Sequence, residues 1–114
     1  MSIGYLEIVS KDVEREIAIL EGVNGISFGD PVAALGGART ATTSDGTRIG
    51  VRAPMHDAEE AVSRPYFKTD TLQETVDAAV ARGAELAVPP MELPGEGMIA
   101  LYFVDGVQYG LWQD

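Results

Sequence analysis

The chain has 114 residues, 46% of them hydrophobic and 23% charged, and it has no cysteine. That length makes one domain with an ordinary core, and the missing cysteine excludes disulfides and thiolate metal sites. The formal charge of −10 opposes the balance a nucleic-acid binder needs. No apolar run approaches the ~20 residues of a membrane span, so the expected address is cytoplasmic, with neither nucleic acid nor membrane as partner.

Residues 4–9 alternate apolar and polar positions and predict a half-buried strand. Asp12 is placed to cap a short amphipathic helix carrying Val13, Ile17 and Leu20, with Gly22 as its expected stop. Three antiparallel strands are predicted at residues 32–35, 38–43 and 48–53, the last two joined at Asp45-Gly46, a hairpin signal. Residues 55–63 (MHDAEEAVS) are polar, without periodicity, and read as a linker.

The order then restarts. Residues 65–69 predict a strand, and Thr71 with Glu74 predicts a capping box for a helix striped by Leu72, Val76, Ala79 and Val80 and ended by Gly83. A strand at residues 85–88 should stop at Pro89-Pro90, and Pro94-Gly95-Glu96-Gly97 reads as a loop. Two further strands, 98–104 and 107–113, flank Asp105-Gly106. The halves are in register: Leu72 and Val76 lie 59 residues after Val13 and Ile17, while Gly97, Asp105 and Gly110 lie 60 after Gly37, Asp45 and Gly50. One residue gained between helix and second strand reconciles the offsets, and such a period marks a duplication.

A twice-repeated βαβββ unit whose second copy closes on Val88-Pro89-Pro90-Met91-Glu92-Leu93-Pro94-Gly95-Glu96-Gly97 and Asp105-Gly106…Tyr109-Gly110-Leu111-Trp112-Gln113 resembles the vicinal oxygen chelate superfamily. Its members include glyoxalase I, bleomycin-resistance proteins, extradiol dioxygenases and fosfomycin-resistance proteins. The resemblance implies an α+β fold of one domain, residues 1–114, with module 1 at about 1–54, a linker at 55–63 and module 2 at about 64–114. It implies curved mixed or antiparallel sheets that face each other as two cups around one site. Fold alone does not fix a reaction.

Metal-dependent members take ligands from the first and last strands of each module, usually His or Gln and Glu. Carried over by the two offsets, those positions are Tyr5, Gly50, Arg64 and Gly110. Glycine offers no donor, arginine stays protonated, and a tyrosine phenol would have to ionise from near 10. The expectation is a member without metal or other cofactor.

Strand alternation assigns Tyr5, Glu7, Arg48 and Arg52 in the first half, and Arg64, Tyr66, Lys68, Gln108 and Trp112 in the second, to the cup. Leu6, Ile8, Ile49, Val51, Phe67, Tyr109 and Leu111 should back onto the helices. Four of the eight basic residues then converge, which suits a ligand bearing a carboxylate, phosphate or enolate, with Trp112 or Tyr66 stacked on it. Against this, each arginine could simply pair with Glu7 or another acid, and Trp112 serves equally as core filler. Glu7 is the candidate base, since a carboxylate shielded from water holds a proton more readily. His56, the single histidine, reads as a solvated linker residue more than an acid/base.

The function expected is enclosure of a small anionic or polar molecule. The alternatives are a metal-dependent lyase, isomerase or dioxygenase with ligands such as Glu7 and His56, or an accessory interaction domain with a vestigial cup. Small relatives commonly pair, so a homodimer is expected.

Overall fold

The computed structural model describes residues 1–114. In chain order the elements are β1 (Ile3–Val9), α1 (Val13–Asn24), β2 (Pro31–Val32), a 3-10 turn (Ala33–Leu35), β3 (Ala38–Thr42), β4 (Arg48–Arg52), β5 (Val62–Lys68), α2 (Leu72–Ala81), β6 (Glu85–Leu93), β7 (Gly97–Val104) and β8 (Val107–Gln113). The class is α+β, as the repeat implied. Neither helix is long and apolar enough to cross a membrane.

Two compact units divide the chain, Tyr5–Ser63 and the pair of segments Met1–Gly4 and Arg64–Asp114. In the first, the strands run β2-β3-β4-β1, with β1 parallel to β4 and the other pairs antiparallel. In the second they run β5-β8-β7-β6, with β5 parallel to β8 and the rest antiparallel. The first residues of the chain join the second unit, where the Lys68 N–H donates to Ser2 O at 2.8 Å.

Each sheet buries one face under its helix. In the first unit Ile17 and Phe28 pack with Ala41 and Val51, joined by Ile8, Val13, Leu20 and Ile49. In the second, Leu72 and Val76 pack with Ala100 and Leu111, joined by Phe67 and Tyr102. Tyr109 stacks between Phe67 and Tyr102, with ring centroids 6.2 and 5.6 Å away. Of the residues the alternation assigned to the helix side, Ile8, Ile49, Val51, Phe67 and Leu111 pack in these clusters and Tyr109 stacks on Phe67, whereas Leu6 is in neither cluster. Val51 and Leu111, almost fully enclosed, each contribute about 1.5–3 kcal/mol through burial.

Several boundaries differ from expectation, each for a local reason. Gly22 lies inside α1, and the stop is Gly25, whose φ of 65° supplies the left-handed turn at the C-cap. Of the strand expected at residues 32–35 only Val32 pairs, together with Pro31 before it, because the backbone tightens into the Ala33–Leu35 turn and Gly36 closes it at φ 69°. The Thr71–Glu74 capping box does not form. Thr71 makes no side-chain cap, and the Leu72 N–H instead donates to Gln113 Oε1 at 2.8 Å, a partner forty-one residues away that no local motif announces.

Pro89-Pro90 does not end β6. The strand continues to Leu93 and shifts register twice against β7, between Leu86 and Val88 and between Val88 and Met91, so each misfit is absorbed as a one-residue bulge at the sheet's outer strand. β5 begins earlier than expected, at Val62. Both turn signals hold, with different geometry. Asp105 and Gly106 both take positive φ, 48° and 84°, the two-residue hairpin of primed type. At Asp45-Gly46 only the glycine does. There the Asp45 carboxylate accepts from the Thr43 hydroxyl and the Thr47 N–H, and these bonds, Thr43 first, hold its pKa below the ordinary carboxylate range.

Candidate functional site

The sheet face turned away from the helix carries the predicted site residues, and its centre in each unit is a glycine. Register places Glu7 directly across from Gly50, and Tyr5 across from Arg48. In the second unit Tyr66 stands directly across from Gly110. A Cβ on Gly50 would overlap the Tyr5 hydroxyl and stand 2.5 Å from its Cζ. A Cβ on Gly110 would stand 2.6 Å from Tyr66 Cε2 and Cγ. Carbon atoms need about 3.5 Å. Both tyrosines are buried.

The two halves therefore close the same gap with non-equivalent residues. Tyr5 reaches Gly50 diagonally from two positions earlier in its strand, whereas Tyr66 lies straight across from Gly110. The space where a ligand carboxylate would project in a metal-dependent member is filled by a phenol ring in both units. No group of three His, Asp or Glu side chains comes together at metal-binding spacing. The residues present do not fit a divalent metal at the positions the fold family uses.

Arg52 is the most enclosed charge, 5% exposed. Its Nε donates to Glu7 Oε2 at 3.1 Å, one terminal nitrogen to Glu59 Oε1 at 2.8 Å and to Ala53 O at 3.1 Å, and the other to Glu59 Oε2 at 2.8 Å. The two terminal nitrogens thus meet Glu59 end-on as a bidentate fork, a strong and geometrically selective form of the pair. The Glu59 hydrogen bonds and the nearby Glu7 charge hold the guanidinium pKa above its ordinary value against the opposing effect of burial. Glu7 is thus engaged as the second arm of this network rather than left facing open space as a base.

Glu59 lies in the stretch read as a linker, and the sequence reading missed it. Its acidic neighbours Asp57 and Glu60 are both exposed, and composition cannot tell which of three acids turns inward. The Glu59 carboxylate also accepts the Met55 N–H at 2.8 Å, so the segment is tied to the sheet.

The remaining predicted residues are dispersed. Arg48 and Arg64 are half-buried on β4 and β5, and Gln108 is half-buried on β8. Lys68 is exposed, lays its stem over Gly4 and pairs with Asp114 at 3.1 Å. Trp112 is 5% exposed, donates its indole N–H to Asp114 Oδ1 at 3.1 Å and meets Tyr66 edge-on with centroids 6.0 Å apart, the packing of a core residue. His56 is exposed on the tied segment.

Two open hollows occur within the Tyr5–Ser63 unit. One, of about 560 Å³, is lined by Arg39, Arg52, Glu14, Asp30 and the Gly36-Gly37 turn among others. Its Arg39 is forked onto Glu14 with both bonds at 2.8 Å. The other, of about 410 Å³, is lined by Lys11, Pro54, Met55, His56, Asp57 and Glu59. Both are of the size that takes small molecules.

No family model matches the sequence, and no curated protein does. Solved structures do. A hypothetical protein from Bacillus halodurans C-125 superposes with TM-score 0.74 at 11% identity, over 99% of this chain and 94% of that one. Methylmalonyl-CoA epimerase of Streptomyces coelicolor, in complex with 2-nitronate-propionyl-CoA, gives 0.71 at 17% identity over 98% and 96%. The Mycobacterium tuberculosis methylmalonyl-CoA epimerase gives 0.72 at 13% over 97% and 86%. At such identities the likeness is one of fold, and that fold is the glyoxalase type of the vicinal oxygen chelate enzymes.

Proposed function

We propose that the chain is a metal-independent small-molecule-binding protein of the vicinal oxygen chelate class, taking an anionic or polar ligand. The observation that carries this reading is the pair of phenol rings packed over Gly50 and Gly110: the positions that would donate to a metal are closed by side chains while the scaffold around them is kept. The anionic preference rests on the Arg52 guanidinium of β4, whose two terminal nitrogens already seat a planar carboxylate, that of Glu59. That geometry, two parallel N–H donors, is matched to carboxylate and phosphate oxygens rather than to a cation.

The test is calorimetric titration of the purified protein with small carboxylates, phosphates and polycationic drugs, with and without a chelator, beside elemental analysis. Binding of an anion that a chelator does not change supports the reading. Metal retained one to one, or a preference for the polycation, overturns it. A lyase, isomerase or dioxygenase built on Glu7 and His56 finds no support in their placement, since Glu7 is held by Arg52 and His56 is exposed.

A further inference from the structure

Residues 53–63 contain only two that are not exposed, Pro54 and Glu59. Met55, the largest apolar side chain there, is 65% exposed. The segment is held to its sheet chiefly by one carboxylate seated in one guanidinium fork, with both bonds at 2.8 Å. Arg52 itself is 5% exposed on β4 and is held through Nε by Glu7 of β1, so its terminal nitrogens stay in place when the occupant of the fork changes. Arg52 lines the larger hollow and Glu59 the smaller. A small molecule whose carboxylate took the place of Glu59 would find room for the rest of its body.

We propose that the Arg52 fork is a carboxylate-recognition site whose resting occupant is Glu59, and that residues 53–61 form a latch which an incoming carboxylate unseats. This rests on the anion-binding reading above and names its contact. The exchange swaps one carboxylate for another, so the buried guanidinium never stands uncompensated, which is the costly condition for a buried ion pair. The displaced Glu59 returns to water on a segment with little apolar surface to lose. Segments of this kind open at low free energy. Two parallel N–H bonds select a planar carboxylate over a point anion such as chloride.

The experiment is an amide NMR titration of the full chain with sodium acetate against sodium chloride at equal ionic strength. Saturable shifts at the Met55 and Glu59 amides with acetate alone are expected, together with faster hydrogen exchange there. Glu59→Ala should bind acetate at least tenfold more tightly, because the internal competitor is gone. Should that variant lose its dispersed spectrum, the isosteric Glu59→Gln carries the same comparison. The proposal is overturned if the latch amides follow the chloride control and the variants bind acetate no better than the parent. A ligand that binds while the latch amides stay still removes the latch and leaves metal-independent binding intact. One-to-one metal removes the latter whatever the latch does.

Discussion

Gly50→Ala tests the packing that closes the first unit's central gap. The added methyl would overlap the Tyr5 hydroxyl and stand 2.5 Å from Cζ, about 1 Å inside the carbon contact distance. Tyr5 cannot swing aside cheaply, being 3% exposed, and Gly50 is pinned between β1 and β3 in register with Glu7 and Thr40. Overpacking of this kind costs about 1–3 kcal/mol, and the depth of the overlap places the expectation at the upper end, about 2–3 kcal/mol. Urea unfolding followed by circular dichroism would read it as a lower midpoint at unchanged slope. The reasoning is specific to the ring, so Tyr5→Leu, itself destabilising, should make Gly50→Ala less costly. A double-mutant cycle should return a coupling of at least about 1 kcal/mol. Gly50→Ala within about 0.5 kcal/mol of the parent, with no coupling to Tyr5, would refute the filled-gap account.

Gly22→Ala should stabilise the chain by about 0.5–1 kcal/mol, since Gly22 is interior to α1 and its Cβ would meet nothing within 4 Å; the same urea midpoint checks it. Arg52→Gln should cost about 3 kcal/mol, the range for removing one partner of a buried ion pair, by leaving the Glu7 carboxylate on β1, 12% exposed, without its cation; a thermal melt at neutral pH reads the loss. Gln113→Ala should cost about 1 kcal/mol by removing the acceptor of the Leu72 N–H, with faster exchange at the first turn of α2 as the local signature. Burial, and then the stacked Tyr109, raise the Tyr102 pKa above its ordinary value of 10.0. The folded state therefore keeps the phenol proton longer, a contribution full below pH 10 and lost as pH rises through the folded value, so melting curves above pH 10 should fall less steeply for Tyr102→Phe.

The elements that could be read from the sequence are those whose signal is local or repeated. Asp105-Gly106 dictates its turn because a two-residue hairpin demands positive φ at both positions and those residues accept it. The two offsets place Gly50 and Gly110 at matching points, and the structure sets each under the ring of a buried tyrosine from the adjoining strand. Alternation sorted helix-facing from open-facing residues because a strand's side chains have a period of two whatever lies beyond them. What escaped needed a distant partner. Gln113, forty-one residues away in sequence, accepts the first N–H of α2, while Thr71 makes no side-chain cap. Glu59 is indistinguishable from its acidic neighbours until Arg52 is seen behind it. Gly22 looked like a stop because glycine disfavours helices, but the chain had Gly25 three residues on with the left-handed geometry a stop requires. The Arg52–Glu7 pair was legible as a basic and an acidic residue on the same face of neighbouring strands, whereas Glu59, the other carboxylate on Arg52, was not.

β6 presents the outer edge of its sheet, and nine residues is long for an unguarded edge. A straight strand there would offer a row of free N–H and C=O groups to any second chain, the template from which sheet-to-sheet polymers grow. Pro89 and Pro90 carry no N–H to offer, the two register shifts break the row's spacing, and Glu85 and Glu92 place like charges near its ends. The same Pro-Pro step that the sequence marks as a strand terminus thus acts as a guard, allowing an apolar-rich strand to complete the sheet while denying its edge to neighbours.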